Sequence, residues 1–159
     1  MSDEGVRHAV RTRWGSPAVA PGPRRTVDLD PAEALRLLAG VSLGRIVFTR
    51  HALPAIRPVN HVVVAGDVII HTHEAAALTE QVERVGAQGI VVAYEADVID
   101  ADTHLGWSVV VTGYCRLITD PRDTARYREL VRPWADQRTD VLVRLHPDLV
   151  SGIRLTGPS

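Results

Sequence analysis

The stretch PAIRPVNHVVVAGDVIIHT, Pro54 to Thr72, decides how this chain folds. It is rich in β-branched residues and broken once by turn residues, so it reads as a β-hairpin. The two-residue loop is Ala65-Gly66 or Gly66-Asp67, and the second is closer to the favoured turns. Either choice places the same residues together, because strand side chains alternate with period two. One face carries Arg57, Val59, His61, Val68, Ile70 and Thr72; the other carries Ile56, Pro58, Asn60, Val62, Ile69, His71 and His73. Proline has no N–H, so Pro58 belongs where its strand has no neighbour on that side. The adjoining backbone groups are then free for a ligand. Arg57, Asn60, Thr72 and the histidines add the donors and acceptors that an extended phosphorylated cofactor lying across strands needs. A plain edge strand with polar residues facing outward gives the same pattern with no ligand.

Around this hairpin lie further strands: GRIVFTR (44–50), GIVVAYEADVI (89–99), WSVVVTGYCRLIT (107–119), and a last strand pair or one long bent strand through VLVRLH and SGIRLTG. Three helices separate them. The first has Asp30 as its N-cap, Pro31 at its first position, Glu33 completing a capping box, Leu35 and Leu38 on its apolar stripe, and Gly40 at its end. The second runs from Glu74 to Gly86. The third starts after Asp120, buries Tyr127, Leu130, Val131 and Trp134, and closes at Pro133. Short turns between successive strands imply an antiparallel sheet, and this many strands in one small domain imply closure into a barrel. The fold expected is mainly β with flanking helices. Residues 1–26, rich in Arg, Pro, Gly and Ala, read as a flexible tail, leaving 27–159 as the domain.

At 159 residues the chain suits one hydrophobic core. Its net charge of −1 argues against a nucleic-acid platform. No apolar run approaches the roughly 20 residues that cross a bilayer, and the first residues lack a signal-peptide core, so a cytoplasmic protein is expected. All eighteen basic residues are arginines. Schiff-base chemistry on lysine is therefore excluded, and any phosphate must be gripped by arginine, hydroxyls or backbone N–H groups. The one cysteine, Cys115, sits in an apolar run and reads as a core residue.

His71 and His73, with Glu74 beside them, have a spacing that can bind zinc, but His61 falls on the opposite face and no cysteine completes a site, so no metal is expected. The chain has no G-x-S-x-G elbow and no G-x-G-x-x-G fingerprint. His61 and His71 are the candidates for a catalytic acid, since imidazole titrates near neutrality. His51, His104 and His146 read as loop or surface residues, and Asp97, Asp100 and Asp102 as a solvated acidic turn.

Four segments together, LGRIVF (43–48), LPAIRPVNHVVVAGDVIIHT (53–72), VVAYEADVID (91–100) and GWSVVVTGYCRLITDP (106–121), resemble the flavin-binding split-barrel proteins related to pyridoxamine 5'-phosphate oxidase, especially the nitroimidazole-reductase-like subset. The resemblance spans Asp30 to Gly157. It implies a six-stranded antiparallel split β-barrel that forms a homodimer, with two flavin mononucleotides (FMN) in clefts between the subunits. It implies that Arg57, Pro58, Val59 and Asn60 run beside the cofactor, that His71 and Thr72 approach its phosphate, and that Trp107 approaches the ring, often from the partner subunit. Many relatives carry a lysine or arginine where this chain has Ala77, and that cation grips the phosphate. Its loss leaves Arg57, Arg50 or Arg84 to compensate, and admits a deazaflavin (F420) or haem instead of FMN. Two functions follow from the resemblance: an FMN-dependent oxidoreductase acting on a small organic substrate, or a non-catalytic flavin-, deazaflavin- or haem-binding barrel.

Overall fold

The structure, a computed structural model, describes residues 23–73, 77–131 and 140–158. The hairpin forms as β3 (Leu53–Val64) and β4 (Asp67–His73), but its loop is Ala65-Gly66, not the expected Gly66-Asp67. Both loop residues have positive φ, 51° and 82°, the pairing that a tight type I′ turn requires. The expected faces are kept, since His61 pairs with Ile70 and Asn60 with His71.

Along the chain, β1 (Arg25–Asp28), α1 (Pro31–Ala39) and β2 (Leu43–Arg50) precede this hairpin. After it come α2 (Ala77–Val85), a 3-10 turn (Gly86–Gln88), β5 (Ile90–Ile99), β6 (Gly106–Leu117), α3 (Pro121–Leu130) and β7 (Asp140–Thr156). The strands hydrogen-bond in the order β7, β4, β3, β2, β5, β6, and β6 returns to β7, so six antiparallel strands form a ring. This is the expected six-stranded split barrel. No helix among the described residues is long and apolar enough to cross a membrane.

The final segment is one long strand, not a pair. It pairs with β4 through residues 140–145 and with β6 through residues 143–155, bending at a bulge where Thr112 faces Leu149 and Gly113 faces Pro147. A proline is tolerated at such a bulge. β1 was not expected as a strand. Arg25 and Thr26, assigned to the tail, pair with Thr156 and Leu155 at the end of β7. Residues 1–22 of that tail lie outside the described residues.

Inside the ring, Ile46, Phe48, Val68, Ile70, Val92, Tyr94, Val109, Val111, Val143 and Leu145 form the core, plugged by Ala34 and Leu38 of α1 and by Leu78 and Val82 of α2. The Asp30 carboxylate caps α1 by accepting from the Ala32 N–H at 3.1 Å, as its sequence requires. Glu33 does not serve that cap as expected: its carboxylate takes a hydrogen bond from Arg154 of β7 at 3.0 Å. Asp120 caps α3, accepting from the N–H groups of Arg122 and Asp123. That helix lies outside the ring, where Tyr127 and Val131 pack on Ile69 and Leu142. Leu130, expected on the buried face, is 51% exposed. The helix buries one narrow stripe, i and i+4, against two strands, and Leu130 lies beside it. Pro133 and Trp134 of the expected helix, and residues 74–76 of the expected start of α2, lie outside the described residues.

Candidate functional site

The ring is held by short ladders at two seams, β2–β5 and β3–β4, and the second leaves a long stretch of β3 beyond it. β2 pairs with β3 from Leu53 to Asn60, whereas β4 pairs with β3 only from Asn60 to Val64. Beyond Asn60, β4 continues with β7 alone, pairing Thr72 with Val141. Residues 53–59 of β3 therefore have one edge on β2 and one edge with no strand partner among the described residues.

The direction of the backbone groups follows from one hydrogen bond. The His61 N–H donates to the Ser42 carbonyl at 2.9 Å, on the β2 side. Backbone groups alternate along a strand, so those of Ala55, Arg57 and Val59 also point toward β2, and those of Pro54, Ile56, Pro58 and Asn60 point away. Pro58 thus puts its missing donor on the open edge, where no ladder bond is lost. The Ile56 N–H and carbonyl lie on the same edge, and the Arg57 guanidinium donates to that carbonyl at 2.7 Å.

Arg57 marks the mouth of the barrel. Its cross-strand partner on β2 is Ile46, which is fully buried, yet Arg57 itself is exposed. Paired residues share a face, so the long Arg57 side chain leaves the inner face at the rim while Ile46 stays covered. α2 packs on β5 and β6 and adds Leu78 and Val82 to the core. Asn60 and His71 are cross-strand partners, both half-buried, at the point where the strands part. Thr72, one residue on, is buried on the inner face.

Two of the expected residues have other placements. His61 is 1% exposed, inside the barrel. Its Nε2 bonds to the Leu38 carbonyl at 2.9 Å, and its Nδ1 bonds to the Tyr94 hydroxyl. A carbonyl can only accept, so Nε2 carries the proton and Nδ1 accepts from the tyrosine. Leu38 belongs to the last turn of α1, whose carbonyls lack helical partners. His61 therefore caps a helix from within the core, and burial holds its pKa below 6.5, keeping it neutral. With both nitrogens committed, its role here is structural rather than that of the expected acid. Burial pushes the Tyr94 phenol up, so it remains a donor. Gly44 leaves room for this tyrosine: a side chain there would overlap the Tyr94 ring and hydroxyl. Neither Tyr94 nor Gly44 carried a signal in the sequence.

Trp107 is 8% exposed and belongs to the core. β6, which carries it, lies three strands from β3 in either direction around the ring. Within this chain, Trp107 and the open edge of β3 therefore lie on opposite sides of the ring.

The remaining titratable residues are placed as follows. Burial pushes the Cys115 thiol up to about 12, so it stays protonated as a core group. Asp100 closes a solvent-exposed turn, accepting from the Thr103 N–H at 2.7 Å and the Asp102 N–H at 3.0 Å, and these bonds hold its carboxyl below the usual range. Among the described residues, no three His, Cys, Asp or Glu side chains converge to hold a metal. The His73 side chain and Glu74 lie outside the described residues.

Comparison with known proteins gives this geometry a family. The profile of the pyridoxamine 5'-phosphate oxidases matches residues 30–154. An uncharacterized protein of Mycobacterium tuberculosis, Rv0080, is 49% identical over 148 residues, 93% of this chain and 95% of that protein. A pyridoxamine 5'-phosphate oxidase homologue from Corynebacterium glutamicum superposes with a TM-score of 0.69 at 29% identity, covering 83% of this chain and 99% of that one. An FAD-binding protein from Mycobacterium smegmatis superposes with a TM-score of 0.66 at 31% identity, covering 84% of this chain and 100% of that one. A profile match across most of the domain, a relative of nearly equal length and the superposition on solved structures agree: the chain belongs to the pyridoxamine 5'-phosphate oxidase-like family of split-barrel proteins.

Proposed function

We propose that this protein binds a flavin nucleotide, FMN or FAD, along the open edge of β3, and works as a flavin-dependent oxidoreductase on a small organic molecule. The observation that carries the proposal is the pairing gap: residues 53–59 have one edge with no strand partner among the described residues, where Arg57 is exposed and where β4 departs with His71 and Thr72. The residues present fit such a ligand. A strand edge with no partner among the described residues supplies backbone donors and acceptors, and the Arg57 guanidinium and the Thr72 hydroxyl supply polar contacts near the Asn60–His71 end. The M. smegmatis relative that binds FAD supports a flavin here.

A bound flavin supplies two-electron redox chemistry that no side chain of this protein can perform. The chain's own groups bind and orient it. Arg57 offers a permanent cation to the cofactor, and in leaving the Ile56 carbonyl it would free that acceptor for a ligand N–H. Asn60, beside Pro58 and Val59, offers an amide that donates and accepts. His71 is the one expected acid that stands near the opening. A second copy of the chain, joined as a homodimer, is the partner we propose to complete the cleft, and Trp107 the aromatic residue it would bring.

Anaerobic titration tests the activity. The flavin-loaded protein should bleach on adding a reduced nicotinamide donor and recover its colour on adding a quinone or nitroaromatic acceptor. A chromophore that binds but that no donor reduces would leave the non-catalytic flavin-binding reading in its place.

A further inference from the structure

At the far end of the open edge, a cleft of about 160 Å³ lies between the β2–β3 turn and the exposed face of α2. Arg50, His51, Glu80, Gln81 and Arg84 line it. We infer that this cleft is a phosphate-binding subsite, in which Arg50, His51 and Arg84 hold a phosphoryl group of an extended nucleotide. The inference rests on the flavin reading for its biological ligand, but the subsite can be tested without it.

Three observations point the same way. First, two guanidiniums and an imidazole meet one carboxylate, so the lining carries an excess of positive charge, and arginine's planar donors match phosphate oxygens. Among the described residues, no ion pair or side-chain hydrogen bond engages the guanidinium of Arg50 or of Arg84.

Second, the turn that presents Arg50 and His51 is held in an unfavourable backbone. His51 and Ala52 have φ of 51° and 62°, the left-handed region that side chains with a Cβ avoid. Asn-Gly would close the same turn without cost. Such strain clusters where a backbone is committed to a ligand.

Third, the cleft is in line with the proposed cofactor. Arg50 pairs with Leu53, where the open edge of β3 begins, and the edge runs from there to the Asn60–His71 pair. At roughly 3.3 Å per residue the edge spans about 23 Å, a length that suits an extended nucleotide with phosphates away from its ring. Arg84 stands two turns along α2 from Ala77, about 10 Å away at 1.5 Å per residue. The cation that Ala77 does not supply is thus offered at a displaced position, suited to a second phosphate.

The phosphate could come from the distal half of a dinucleotide flavin or from a nicotinamide nucleotide donor. Calorimetry on the full chain with pyrophosphate, FMN, FAD and NADPH separates these sources, using wild type, Arg50→Gln and Arg84→Gln. Both arginines are exposed, so the unliganded melting temperature should not move. The wild type should bind pyrophosphate, and each variant should weaken it by roughly 10- to 100-fold, one charge-assisted hydrogen bond. The same loss for FAD with FMN unchanged assigns the cleft to the cofactor; loss for NADPH alone assigns it to the donor. Unchanged affinity for all four ligands in both variants, or a wild type that ignores pyrophosphate, overturns the inference. A wild type that binds pyrophosphate through these arginines but takes up no flavin keeps the subsite and removes the flavin reading.

Discussion

The buried chain from Tyr94 through His61 to Leu38 makes a prediction that can be worked in numbers. Tyr94→Phe deletes the hydroxyl and leaves the His61 Nδ1 as a buried acceptor with no donor. An orphaned neutral polar group costs about 1–3 kcal/mol. His61→Leu leaves two groups behind, the Tyr94 hydroxyl and the Leu38 carbonyl. The carbonyl keeps a partial partner in the Val41 N–H at 3.3 Å, so the cost is about 2–4 kcal/mol rather than two full penalties. In the double variant the two introduced side chains face each other as apolar groups, and only the carbonyl is stranded. It should be more stable than the two single costs predict, by about 1–2 kcal/mol of coupling. Thermal and urea unfolding measure this, with each kcal/mol moving the midpoint by about 2–4 °C in a chain of this size. Costs that add to within about 0.5 kcal/mol would mean the two side chains do not interact, and the tautomer assigned to His61 would be wrong.

Further outcomes follow from particular atoms. Because burial holds His61 below 6.5, the unfolded chain takes up its proton first as pH falls. The contribution is full above about 6.5 and is lost as pH drops toward the lowered folded value, so the stability gap between wild type and His61→Leu should narrow on acidification below pH 6.5. Gly44→Ala forces a methyl into the Tyr94 ring and should cost about 1–3 kcal/mol in unfolding experiments, whereas an ordinary exposed strand glycine would gain stability from the same change. Ala52→Gly relieves the left-handed φ of 62° and should raise stability by roughly 0.5–1 kcal/mol in thermal unfolding. Arg57→Gln should weaken flavin binding by about 1.5–3 kcal/mol, measured by fluorescence titration, with the melting temperature of the unliganded protein unchanged.

The sequence disclosed the hairpin because its signals are local. Period-two alternation set the faces, a Gly-containing segment placed the turn to within one residue, and Pro58 announced an open edge before any neighbour was known. The helix starts were equally legible, since Asp30-Pro31 and Asp120-Pro121 carry their capping chemistry within three residues. What stayed hidden depends on distant pairing. β1 is four residues, RTVD, with no pattern of its own, and exists because the end of β7 offers an edge. His61 looked reactive because nothing nearby in sequence reveals Leu38, 23 residues before it, or Tyr94, 33 residues after it. The place of Trp107 in the ring, three strands from β3, was hidden because it is a property of closure and not of its own segment. Arg50 and Arg84 were visible only as possible cations until the fold brought a turn and a helix face into one cleft.

The account stands on the unpaired edge of β3 as a flavin site, and an absorption spectrum tests that directly. The protein should be incubated with excess FMN and, separately, FAD, passed through gel filtration, and scanned across the near-ultraviolet and visible flavin bands, with mass spectrometry of whatever denaturation releases. A retained flavin spectrum, lost when Arg57 and the Pro58 edge are altered together, is the result expected. A colourless protein that retains neither nucleotide would contradict it.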